Sequence, residues 1–195
     1  LRTVPHEPEP VIAVAPPDAE LTEQTCPPDR VVRQISPKLL YTDGSRRIYD
    51  AGENLSGWVA VRADGKPGDE IRLTFAEALK DDDLDPLSTG ADYKGTTRMQ
   101  LQEAFRPQFV WHGFRYFDVT GPASDLTVEE VHTDLAVTSA FECGNPVLNW
   151  LFDADIRTEL SNIHGCVPSD CPHRERLGYT GDGQITAPTV MTLLD

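Results

Sequence analysis

The sequence predicts a mainly β fold, an antiparallel β-sandwich followed by one or two helices that open a second, helical unit. Three observations carry this. Segments such as "EIRLTF" alternate, with Ile71, Leu73 and Phe75 on one side and Glu70, Arg72 and Thr74 on the other, the pattern of a strand with one buried face. Clusters rich in Gly, Pro and Asp, namely "TDGS", "ADGKPGD" and "TGPASD", punctuate these segments at short intervals and supply turn geometry. From Asn145 onward the apolar residues recur at helical spacing instead.

Each element follows in order. Residues 1–30, with "PHEPEP" and "VAPPDAE", keep neither period and read as a linker or strap from a preceding domain, with one strand expected at "VIAV". Residues 31–140 form the predicted sandwich, with strands at "WVAVRA", "EIRLTF", "TRMQLQ", "QFVWHGFRYFDV" and "LTVEEVHTDL". Asn145 is then a good helix cap and Pro146 suits the first helical position. Leu148, Leu151, Phe152, Ile156 and Leu160 continue the stripe until Gly165 offers a stop. "GQITAPTVMTLLD" reads as a second helix with Pro188 near its first turn or at a kink. Residues 141–195 are therefore expected to be the N-terminal part of a truncated helical domain, and the start at Leu1 rather than Met points to a piece of something longer.

Charge narrows the function classes. Seventeen Lys and Arg against 32 Asp and Glu leave a formal net charge of −15, a sign that repels phosphate backbones, so nucleic acid is not an expected partner. No run approaches the roughly 18 apolar residues of a membrane span, and no membrane partner is expected. Cys26, Cys143, Cys166 and Cys171 are too few and scattered for a disulfide framework, and reduced, buried thiols are expected.

The densest chemistry lies in "SDCPHRERLGYTGDGQ", residues 169–184. His164, Cys166, Cys171 and His173 are ligand types for tetrahedral zinc. All four crowd one proline-containing loop, however, rather than forming pairs on separate knuckles, so neither a metal nor a cofactor is assigned. "GYTGDG" resembles a phosphate cradle only loosely, lacking a Lys and a preceding strand and carrying Asp182 inside it. Asp170, Glu175 and Asp182, with Arg174 and Arg176 beside them, have the makings of a sugar-processing site, in which one acid protonates a leaving oxygen and other carboxylates bind hydroxyls. A solvated loop with surface ion pairs worth about 0–1 kcal/mol fits the same residues.

Resemblance separates these two. "DCPHRERLGYTGDGQ" is similar to the signature loop of bacterial α-L-rhamnosidases, glycoside hydrolase family 78, and three other segments match that family in order. These are "YDAGENLSGWVAVRADGKPGDEIRLTFAEAL" and "FVWHGFRYFDVTG" in its sandwich domain, and "FECGNPVLNWLF" at the opening of its helical domain. The resemblance implies a β-sandwich joined to the start of an (α/α)6 barrel, in an enzyme that removes α-L-rhamnose from glycosides with inversion. By position it implies Glu175 as general acid, Asp170 and Asp182 as carboxylates gripping rhamnose hydroxyls, and Arg174 and Tyr179 as pocket lining. Tyr179 stands where the family more often has Trp. Many members carry two consecutive acids where this chain has Glu175 alone, and Glu175 is taken as the acid because none follows it before Arg176. The general base is implied to lie beyond Asp195, so these residues alone are expected to be inactive. The alternative is a non-catalytic carbohydrate-binding or interaction module. A rhamnose-containing glycan or glycoside is the expected partner in both cases.

Other residues have plainer readings. Trp58, Trp111, Phe114 and Tyr116 read as core rather than as a sugar platform, and His112 and Arg115 as ties from the sandwich to the next domain. In "DDDLDPL" a Pro, Pro86, stands where a calcium loop needs its glycine, so a solvated acidic turn is expected. The stripe of Leu148, Leu151, Phe152 and Ile156 must pack on the sandwich or mediate self-association.

Overall fold

A computed structural model of the chain describes residues 12–66, 68–89, 96–100, 104–107, 109–173 and 177–194. The first strands are β1 (Asp29–Ile35), β2 (Lys38–Asp43), β3 (Arg46–Ala63) and β4 (Glu70–Ala76). A small hairpin of β5 (Leu79–Lys80) and β6 (Asp83–Leu84) follows, then β7 (Thr96–Gln100), β8 (Ala104–Phe105), β9 (His112–Thr120) and β10 (Ala123–Thr133). Helix α1 (Pro146–Asn162), a hairpin of β11 (Ile163–His164) and β12 (Val167–Pro168), and helix α2 (Thr180–Leu193) complete it.

β3 is the spine of an antiparallel sheet ordered β1-β10-β3-β9-β4-β7, with β2 and β8 also paired to β3. Its first half pairs with β2 and its second with β10 along one edge, while β9 runs along the other. Strands far apart in this order, β4 and β10, contribute Leu73, Phe75 and Val128 to one core with Leu55, Val59, Phe114, Phe117 and Val119. The sheet therefore closes over its own apolar face, as a sandwich must. Between Asp50 and Leu55 the β3–β9 register jumps, five steps along β3 matching two along β9 from Tyr116 to Phe114. This bulge re-aims Glu53 and Asn54, as bulges do.

Several expectations change here. The described part of "VIAV", Ile12–Val14, forms no strand. Prolines 10, 16 and 17 crowd it, and a ring nitrogen donates nothing to a ladder. "TRMQLQ" becomes β7 from Thr96, its last two residues lying outside the described set. The strand expected from Gln108 begins at His112. "DDDLDPL" forms a tight hairpin turn in which Asp81 and Asp82 take φ 52° and 62°, the left-handed pair such a turn requires. Asp83 accepts from Arg46 at 2.6 Å, and that bond holds its carboxyl below the usual range.

Asn145 caps α1 by accepting from the Val147 N–H at 3.0 Å, and Pro146 takes the first turn, as the sequence predicts. α2 begins at Thr180, earlier than expected, so Pro188 stands inside it rather than near its first turn. Phe152, Ile156 and Leu160 pack with Ile163, Leu193 and Leu194 into a second small core, while Leu148 and Leu151 stay exposed. Three of the five residues of the predicted stripe thus find partners within the chain. The four cysteines are free thiols, half-buried rather than buried. Among the described residues no helix is long and apolar enough to cross a membrane.

Candidate functional site

The loop from residue 169 to 179 connects the β11–β12 hairpin to α2. Its first end is tied to α1, the Ser169 N–H donating to the Asn162 carbonyl at 2.9 Å; at its last end the Tyr179 N–H reaches the Pro168 carbonyl at 3.4 Å. Two close approaches fix the described residues at its two ends. A Cβ on Gly113 of β9 would lie 2.8 Å from Pro172 Cγ and 3.1 Å from the His173 nitrogen. A Cβ on Gly178 would lie 2.2 Å from Val167 Cγ1. Both glycines are present because backbone and side chain need that space.

Asp170 is exposed and lines a cavity of about 650 Å³ between the sandwich and α1. Asn54, Glu77 and Arg115 form its sandwich wall, and Trp150 and Arg157 its helical wall. Glu53, also at the cavity, accepts from Arg33 and lies 3.2 Å from Arg157, joining β1, the β3 bulge and α1 through one carboxylate. Of the other residues singled out from sequence, Tyr179 is the extended cap of α2, and Asp182 is half-buried in its first turn, a placement the helix dipole stabilises. Arg174 and Glu175, with Arg176, lie outside the described residues.

The zinc ligand types separate. His164 stacks on Trp111 with ring centroids 4.0 Å apart and lies 3.5 Å from Asp29. The Cys166 thiol faces Cys26 and is pushed up to about 11 by burial. His173 lies 3.5 Å from Glu77. Among the described residues no group of three His, Cys, Asp or Glu is placed to hold a metal ion.

Arg115, expected as a tie to the next domain, stands on the sandwich wall of the cavity that α1 also lines. It donates twice to Asp50, at 2.9 and 3.0 Å, holding that carboxyl below the usual range from within the sandwich while facing the cavity. His112 stacks on Phe75 with ring centroids 4.2 Å apart inside the sandwich. Phe114 is fully buried, as read, whereas Trp58, Trp111 and Tyr116 are only half-buried. Trp58 donates from Nε1 to Glu129 at 2.6 Å. Sequence reasoning missed Glu53, Asn54, Glu77, Trp150 and Arg157. Glu77 alone left a trace, an acid that breaks the apolar run directly after β4.

Burial lowers the His164 imidazole below its ordinary value, with Asp29 opposing and His132 adding to the shift. The unfolded chain takes up this proton near pH 6.5 while the folded chain resists it, so His164 stabilises fully above that pH and less as pH falls through the folded value. The urea midpoint is expected to drop between pH 7.5 and 5.5. In His164→Phe, which keeps the stack on Trp111, the drop should shrink; an unchanged slope would assign it to other groups.

Two family models divide the chain: a bacterial alpha-L-rhamnosidase concanavalin-like domain matches residues 41–137, and a bacterial alpha-L-rhamnosidase 6 hairpin glycosidase domain matches residues 136–195. A sandwich joined to a glycosidase domain of this kind defines a glycoside hydrolase architecture. The chain belongs to the bacterial α-L-rhamnosidase family. It is 33% identical over 184 residues to an alpha-L-rhamnosidase of Formosa agariphila, covering 86% of this chain and 19% of that protein. The alpha-L-rhamnosidase of Dictyoglumus thermophilum superposes with a TM-score of 0.83 at 30% identity, over 93% of this chain and 22% of that one. That of Streptomyces avermitilis, solved in complex with L-rhamnose, gives 0.79 at 31% identity, over 88% of this chain and 18% of that one. The chain spans about a fifth of the length of the curated relatives it matches.

Proposed function

We propose that residues 31–140 are the sandwich domain, and residues 141–195 the opening of the glycosidase domain, of an inverting α-L-rhamnosidase that hydrolyses terminal α-L-rhamnose from glycosides. Glu175 protonates the leaving oxygen. Asp170 and Asp182 accept hydrogen bonds from rhamnose hydroxyls, and Arg174 and Tyr179 line the pocket, Tyr179 offering a ring face to the sugar. The observation that carries this reading is the setting of Asp170. It stands at the start of a loop tied at both ends and opens onto a 650 Å³ cavity between two walls rich in polar groups. A cavity of this size accommodates a sugar ring with room for part of its aglycone.

Inversion needs a second carboxylate to activate water, about 6.5–9.5 Å from the acid. Asp170 and Asp182 are committed to the sugar, so the 195 residues alone are proposed not to turn over. The test is hydrolysis of p-nitrophenyl α-L-rhamnoside by this chain and by a longer one extended to the length of its relatives, with the product anomer followed by NMR. The longer chain is expected to release β-L-rhamnose first and the 195-residue chain none. Rhamnose binding without hydrolysis in the longer chain would favour the non-catalytic module. Turnover by the 195 residues would show that the base lies within them.

A further inference from the structure

Two thiols meet where the strap ahead of β1 passes the turn of the β11–β12 hairpin. The Cys26 thiol donates to the Gly165 carbonyl at 3.8 Å, and the Cys166 thiol to the Pro27 carbonyl at 3.7 Å. Each sulfur is thus directed at the residue beside the other cysteine, although the two stand 140 positions apart in sequence. Both are half-buried. The backbone around them is held by one shared set of bonds. Asp29 Oδ1 accepts from the Gly165 N–H at 2.9 Å and from the Thr133 hydroxyl at 2.8 Å, while Thr133 Oγ1 accepts from the Cys166 N–H at 3.1 Å. On the strap, the Pro28 carbonyl accepts from the Asp134 N–H at 3.1 Å. The turn adds a second observation. Gly165 and Cys166 take φ 65° and 64°, the left-handed pair that a two-residue hairpin loop requires. Gly, Asn and Asp are the usual residues there, so local geometry gives no reason for a cysteine at position 166. Its contact with Cys26 gives one.

From this arrangement we infer that Cys26 and Cys166 are a modification site: they close to a disulfide at the expense of a low-molecular-weight disulfide, and the bond staples the strap to the hairpin that precedes the signature loop. The step balances as two exchanges. One cysteine, as thiolate, attacks a sulfur of the small disulfide and releases that molecule's other half as a thiolate. The second cysteine then attacks the protein sulfur of the mixed disulfide and releases the remaining half. One S–S bond breaks and one forms, two electrons pass from the cysteines to the small disulfide, and the two cysteine protons end on the released thiols. Burial first, and then the contact with Cys26, push the Cys166 thiol up to about 11, which makes it a poor nucleophile toward outside reagents. Closure onto a sulfur already beside it is the reaction that suits it. Cys143, by contrast, is engaged at the start of α1, where its thiol donates to the Asn145 carbonyl at 3.5 Å. A bond across so long a loop acts mainly by restricting the unfolded chain, and the restriction grows with loop length.

The experiment equilibrates the full 195-residue chain with equimolar oxidised and reduced glutathione at pH 8, blocks the remaining thiols and maps tryptic peptides without reduction. Residues 3–30 and 158–174, the peptides that hold Cys26 and Cys166, are expected as one linked species that separates on reduction. Residues 158–174 also contain Cys171, so two variants assign the link. Cys171→Ser should keep it, and Cys166→Gly should abolish it; glycine suits the left-handed position, so this second variant should fold. The linked chain should unfold at a urea midpoint about 1–2 M above that of the reduced chain. Cys26→Ser and Cys166→Gly should each show the same midpoint under both conditions. The absence of a linked species, a link from Cys26 to Cys143 or Cys171 instead, or glutathione left on Cys26 without closure would overturn the inference. So would a Cys26–Cys166 link that leaves the midpoint unchanged, since the folded chain would then have to distort to close it.

Discussion

Glu175→Gln in the longer chain is expected to lower kcat on an alkyl α-L-rhamnoside by about 10²–10⁴-fold, the contribution of a positioned general acid. The amide matches the carboxyl in size and cannot give up a proton to the leaving oxygen. Binding should survive, because Asp170 and Asp182 make the proposed contacts to the sugar hydroxyls. Rhamnose titration by calorimetry should therefore give a dissociation constant within a few-fold of the unsubstituted protein. The alkaline limb of the pH profile of kcat/KM, set by loss of the acid's proton, should flatten in the variant. A variant that retains full turnover on the alkyl substrate would move the acid elsewhere and leave Glu175 as a binding group.

The largest stability effect is expected at Phe114. Its side chain is fully buried, tilted against Phe75 with ring centroids 4.7 Å apart and edge-on to Phe117 at 5.9 Å. Phe114→Ala removes the ring from the centre of the sandwich core and should cost about 3–5 kcal/mol, a large share of the 5–15 kcal/mol of a typical domain. The neighbouring residue is Gly113, against which the signature loop packs, so loss of the ring should also loosen the contact to Pro172 and His173. Urea unfolding of the variant and limited proteolysis at residues 171–178 measure the two effects. Phe114→Leu, which refills much of the volume, should lose substantially less. Equal stability of the Ala variant and the unsubstituted protein would show that the core can collapse around the cavity.

Much of the architecture was legible because it depends on local patterning. Alternation in "EIRLTF" gave β4 to within one residue, and the Asn145-Pro146 pair marked the start of α1, since capping and proline geometry are settled within a few residues of chain. The turn chemistry of "DDDLDPL" was legible only as a turn. Its hairpin form depends on Arg46 from β3 reaching Asp83, a contact 37 residues away. α2 was placed too late because its first turn, "TGDG", carries two glycines and no apolar stripe. Its helical state is decided instead at its other end, where Leu193 and Leu194 bury against α1 and Ile163. Pro188 is tolerated within it, where a local rule would have ended the helix.

The site divides in the same way. Residue types and short spacings, which are properties of the chain, singled out Asp170, Glu175 and Asp182 beside Arg174 and Arg176 in one contiguous stretch, and the family resemblance added Tyr179 and the expected roles. The sequence also determined that "HGF" in β9 held a glycine, without a reason for it. What surrounds that stretch is set by contacts between residues far apart in the chain. Gly113 meets Pro172 and His173 across the fold, the jump in register between β3 and β9 turns Asn54 toward Glu77, and Glu77 meets His173 from 96 positions away in sequence. Such contacts follow from how a curled sheet brings distant turns to one wall. No periodicity along the chain encodes them, and side-chain pairing across the cavity is settled only when the core beneath has closed.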